Sequence, residues 1–135
     1  MSQENLETVE RAMRAVIARP RPDYDTMNAL YSEAHVFVPA GVASGLEDEG
    51  RGAEGYRAWR EGLESVGEVE HEFVSAVDVG PETVLAVTLA RLVGRVSGTP
   101  AEQRLWSVVT VQGGRITRTE AFTDPESALA ACVGD

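Results

Sequence analysis

A single change of period near the middle limits what this chain can fold into. Before Gly67 the apolar residues recur three and four apart; after it they fall on alternate positions until the last dozen residues. Helices therefore gather early and antiparallel strands follow, which means α+β rather than a repeating βα unit. Leu6, Val9, Met13, Val16 and Ile17 predict a helix over 4–18, with Glu4 and Glu7 well placed in its first turn. Arg19-Pro20-Arg21-Pro22 stops it. Asp23 caps a second short helix with Tyr24, Met27, Leu30 and Tyr31 on its apolar side. A short strand runs from His35 to Pro39, an acidic, glycine-rich, mobile loop over 39–52, and a third helix over 53–66.

Four strands follow, over 69–79, 83–95, 102–112 and 115–123, joined by Gly80-Pro81-Glu82, Ser97-Gly98-Thr99-Pro100 and Gly113-Gly114. Asp124 and Pro125 open a terminal helix. The order predicts a single domain over 1–135. In it, a curved antiparallel sheet packs on the N-terminal helices as a cone around a pocket.

All 12 basic residues are arginine, against 22 acidic residues, for a net charge of −10. The absence of lysine excludes Schiff-base and P-loop chemistry. The acidic balance argues against nucleic acid and anionic membranes as partners. Cys132 stands alone, and the two histidines form no ligand pattern, so no metal or cofactor is expected. No apolar run approaches the ~20 residues that span a bilayer. The polar, acidic N-terminus is unlike a secretory signal, so a cytoplasmic setting is expected.

Several stretches carry a resemblance: Asp25 to Tyr31, Gly52 to Trp59, Gln103-Arg104 through Ile116, and Ala121-Phe-Thr-Asp124. In this order the chain resembles the SnoaL-like branch of the nuclear-transport-factor-2-like superfamily. The resemblance implies a cone-shaped α+β barrel with an apolar pocket, commonly a homodimer. It implies no single function, because the fold hosts cyclases, isomerases, epoxide hydrolases, dehydratases and non-catalytic binders. The ketosteroid isomerases of the superfamily use a base, a tyrosine and a protonated aspartate. Those positions fall on Val38, Met13 and Ser107, none of which can do that work. The epoxide hydrolases need an arginine between carboxylates, and Arg91 has Leu89 and Val93 beside it instead.

Among the strands, His71, Phe73, Ser75, Val77 and Val79 form the more apolar face of theirs, which predicts His71 inward. His71 is the candidate for proton transfer near neutral pH, or else a rim histidine bonded to backbone or glutamate. Leu85, Val87 and Leu89 share a face with Arg91, which would then meet His71 at one end of the cavity and pin a carbonyl or anion, or else lie with its head in solvent. Leu105 and Ser107 share the next inward face. The expected lining is Val38, Trp59, Phe73, Leu89, Leu105 and Ser107, and His35 is expected to be exposed. Ala86, Thr88, Ala90, Leu92, Trp106 and Val108 then make an apolar outer face that a second copy would cover.

Three functions fit these residues. The first is a pocket that binds a small, mostly apolar or carbonyl-bearing molecule. The second is an isomerase, cyclase or hydrolase using His71 with Arg91 or Ser107. The third is an interaction domain whose cavity its own side chains fill.

Overall fold

The computed structural model describes residues 2–18, 21–38, 50–51, 57, 60–62, 64–65, 67–94 and 100–133. Helix α1 (Ser2–Val16) carries Val9, Ala12, Met13, Ala15 and Val16 on one buried stripe, at the spacing its sequence sets. Helix α2 (Tyr24–Leu30) starts at the expected cap: Asp23 accepts the Thr26 amide at 3.1 Å and its hydroxyl at 2.7 Å. The expected acidic loop lies outside the described residues, apart from Gly50 and Arg51, which form a short strand. Of the expected third helix, residues 57, 60–62 and 64 are described and are helical.

The strands are β1 (Tyr31–Val38), β2 (Gly50–Arg51), β3 (Gly67–Gly80), β4 (Thr83–Gly94), β5 (Pro100–Gln112) and β6 (Arg115–Phe122). They form one sheet in the order β2-β1-β6-β5-β4-β3. The meander β3 to β6 is antiparallel, as the turns predict. Gly113 and Gly114 take the positive φ values, 62° and 80°, that a tight hairpin requires. One pairing corrects the expectation of a wholly antiparallel sheet: β1 lies parallel to β6, so the sheet is mixed. Alternation along β1 says which face is buried but not which way its partner runs.

Helix α3 (Pro125–Val133) is capped by Asp124, which accepts the Ser127 amide at 2.7 Å. It packs against β5 and β6 on the side away from α1, with Ala128 fully buried. The core fills the space between α1, α2 and the inner sheet face, where Met27, Val84, Val109 and Ile116 are inaccessible to solvent. Each such side chain contributes about 1.5–3 kcal/mol by leaving water. No helix among the described residues is long and apolar enough to cross a membrane.

Candidate functional site

The two-residue connection at Pro81-Glu82 fixes how β3 meets β4. Gly80 lies opposite Thr83, and the ladder then sets His71 opposite Ala90 and Glu70 opposite Arg91. Register shifts between Phe73 and Ser75 and between Asp78 and Gly80 interrupt the alternation, the first of them next to the cavity. His71 and Phe73 point inward below the first shift and Ala76 above it, while Val77 is 53% exposed on the outer face. The apolar stripe expected to run unbroken from residue 71 to 79 is therefore divided.

On β4 the inner face is the reverse of the expected one. Val84 and Ala86 are fully buried and Thr88 nearly so. Leu85, Val87, Leu89 and Arg91 lie on the outer face. Both faces of β4 are apolar, so the pattern alone did not choose between them, and the closely packed α1 takes the small side chains. Arg91 thus does not join His71 in the cavity. Its Nε lies 3.8 Å from Glu102 Oε2, with both side chains about half exposed. Leu89 lies beside it, opposite Glu72 and away from the cavity. Val38 is also displaced: it pairs with Glu120, while the neighbouring Phe37, opposite Thr119, faces the cavity. Trp59 lies outside the described residues. Phe73 packs against the core with the Arg14 guanidinium over its ring, 5.4 Å from the centroid.

A cavity of about 40 Å³ remains between α1 and the sheet. Its apolar walls are Met13, Val16, Tyr31, Phe37, Leu105 and Ala121, and its polar groups are His71, Thr88, Ser107 and Thr119. Of the expected lining, Leu105 and Ser107 are here, and His71, the proton-transfer candidate, joins them. This space is far below the roughly 300–1,000 Å³ of drug-sized sites, so it suits a small molecule or the end of a larger one.

The polar groups have an order that the register reveals. His71 is opposite Ala90, two residues from Thr88; Thr88 is opposite Leu105, two from Ser107. Ser107 is opposite Ala121, two from Thr119; Thr119 is opposite Phe37, two from His35. One hydrogen-bonding side chain per strand thus steps diagonally across β3, β4, β5, β6 and β1. Diagonal neighbours in a sheet stand roughly 7–8 Å apart, within reach of one ligand or a bridging water. No single strand shows this line, which is why the sequence pattern missed Thr88 and Thr119.

The two ends of the diagonal differ in chemistry. Burial first, and the positive Arg60 second, push the His71 imidazole down to about 4, so it is neutral at physiological pH. Arg60 is itself buried, donating from Nε to Glu64 Oε2 at 3.0 Å and from Nη2 to the Val69 carbonyl at 3.3 Å. At the other end His35, expected in solvent, is fully buried. Its Nε2 lies 3.0 Å from Thr119 Oγ1, and its ring stacks on Tyr31 at 4.4 Å between centroids. The Thr119 hydroxyl gives Nε2 a hydrogen-bond partner, which lowers the cost of burying this polar ring.

The chain has the nuclear-transport-factor-2-like fold, an α+β cone shared by proteins of several functions. TerC, crystallised with polyporic acid, is 17% identical with a TM-score of 0.71, covering 98% of this chain and 99% of its own. An NTF2-like protein of unknown function from Burkholderia pseudomallei is 18% identical with a TM-score of 0.70, covering 98% of each chain. A protein assigned as a SnoaL-like polyketide cyclase from Jannaschia sp. CCS1 is 15% identical with a TM-score of 0.70, covering 99% of this chain and 94% of its own. No family model matches the sequence, and no curated protein matches it. At these identities the likeness is one of fold, and function has to be argued from the site.

Proposed function

We propose that this chain is a small-molecule pocket protein whose ligand is neutral, mostly apolar and bears a carbonyl or hydroxyl group. One observation carries the reading: the described lining is apolar on most sides and crossed by a file of neutral hydrogen-bonding groups, with no carboxylate among them. A charged ligand would be desolvated there without a countercharge in the lining, which costs several kcal/mol. TerC, of the same fold, is crystallised with polyporic acid, which supports a small-molecule pocket and not the neutrality of its ligand.

The site favours binding over proton abstraction. A base works best with a pKa near the working pH, and His71, at about 4, is a weak one. Of the three positions where the resemblance puts an isomerase's acid–base groups, Met13 and Ser107 line the cavity, and Val38, which pairs with Glu120, does not.

A homodimer is part of the proposal, through the outer sheet face. The apolar set there is Val77, Leu85, Val87 and Trp106, paired row by row across β3, β4 and β5. Val77 is more than half exposed, and a second copy laid across the sheet would cover it.

The test is a titration of ¹⁵N-labelled protein with cyclohexanone, followed by amide NMR. Saturable shifts confined to residues of the cavity are expected. Ala121→Met, which fills the space from one wall, should abolish them. Unchanged binding in that variant, or no binding by the wild type, overturns the reading.

A further inference from the structure

The cavity's far wall holds a hydroxyl with an imidazole fixed behind it. Thr119 lines the cavity from β6, and His35, on the neighbouring β1, meets its Oγ1 at 3.0 Å. We propose that His35 is a positioning residue: it holds the Thr119 hydroxyl in one hydrogen-bonding direction and so decides which polar group the pocket accepts. The inference rests on the pocket reading above and adds the element of that site which discriminates between ligands.

The argument is one of proton counting. A threonine hydroxyl has one proton to donate and two lone pairs to accept with. A neutral imidazole donates from one nitrogen and accepts at the other. If Nε2 carries the ring proton, it donates to Thr119 Oγ1, and the hydroxyl proton is left for the cavity. The pocket then selects a carbonyl oxygen. If Nε2 is bare, Thr119 gives its proton to the ring and shows the cavity only lone pairs. The pocket then selects a hydroxyl donor.

The ring is held in place, so Nε2 keeps facing Thr119 and the tautomer alone sets the direction of the bond. His35 has no solvent-accessible surface, and its face lies against Tyr31 with 23° between the planes. Tyr31 and Phe37, the latter two residues along β1, both line the cavity, so the same strand builds the apolar wall and anchors the imidazole behind it. In so little water a hydrogen bond is stronger than in solution, and so is the cost of reversing it.

The experiment reads ring tautomer and ligand preference together. Histidine ring ¹⁵N shifts of the wild type report whether His35 Nε2 is protonated. Affinities are then measured for cyclohexanone, cyclohexanol and methylenecyclohexane, the last being the oxygen-free shape reference. With Nε2 protonated, cyclohexanone should bind about threefold to tenfold tighter than the reference; with Nε2 bare, cyclohexanol should gain by that factor and cyclohexanone should gain nothing. Thr119→Val should remove the gain, Thr119→Ser should keep it, and His35→Phe should let both oxygen ligands gain alike. Should His35→Phe fail to fold, His35→Gln with the two Thr119 variants decides the matter. A gain that survives in Thr119→Val, a preference of the wrong sign for the observed tautomer, or a mixed tautomer in the wild type overturns the proposal. If none of the probes binds the wild type, the pocket reading fails instead. The positioning role then stands on a single wild-type tautomer that changes in Thr119→Val, and falls if the tautomer does not change.

Discussion

His71 faces Ala90, not Arg91, across the β3–β4 ladder, so the imidazole and the guanidinium sit on opposite sides of the sheet. Arg91 is not among the residues that line the cavity. Arg91→Ala should change cyclohexanone affinity by less than about twofold. Its exposed contact with Glu102 is worth at most about 1 kcal/mol, so stability should shift little as well. A tenfold loss of binding in Arg91→Ala would mean that the two residues do share a site.

The lowered pKa of His71 has a consequence for stability. Its folded value of about 4 lies below the usual 6.5, so between these values the unfolded chain binds more protons. Stability from this group is complete above about pH 6.5 and is lost as the pH falls toward 4. The full shift corresponds to roughly 3 kcal/mol, and partial exposure of the ring makes that an upper bound. Urea unfolding of wild type and His71→Gln from pH 4.5 to 7.5 checks this. The variant should show the shallower loss, and parallel curves would refute the burial of a neutral imidazole.

Ketosteroid isomerisation should be absent. Met13, Val38 and Ser107, at the three positions the resemblance points to, supply neither a carboxylate base nor an acidic oxyanion donor. Each missing group removes a factor of about 10² or more. A β,γ-unsaturated ketosteroid should convert no faster with the protein than in buffer, by ultraviolet absorbance. Turnover above that rate would reassign the roles of the lining residues.

The outer sheet face should hold two copies together. Trp106 sits opposite Val87 on one side and Phe122 on the other, in the middle of the apolar rows. Trp106→Arg should weaken the dimer by on the order of 2 kcal/mol, about thirtyfold or more in dissociation constant. Sedimentation equilibrium measures this, and a wild type that stays monomeric at every concentration would exclude the dimer.

Much of the architecture was already decided along the chain. The 3.6-residue spacing of Val9, Met13 and Val16, the caps at Asp23 and Asp124 and the Gly113-Gly114 hairpin are local signals, and each element formed where its signal lay. His71, Leu105 and Ser107 were legible as inward residues because their strands are apolar on that side at those positions. What the sequence left open was every choice between two similar faces. Strand β4 is apolar on both, so only its register to β3, with the bulge beside Ser75, turned Thr88 inward and Arg91 outward. Val38 and Phe37 are equally apolar neighbours, and the parallel pairing with β6 gave the cavity Phe37. His35 reads as polar, but β6 brings it the Thr119 hydroxyl and Tyr31 brings it a stacking surface, and these partners make its burial tolerable. Period and capping are properties of a segment, whereas the diagonal of His71, Thr88, Ser107, Thr119 and His35 is a property of five strands in register. It exists only once the sheet has formed.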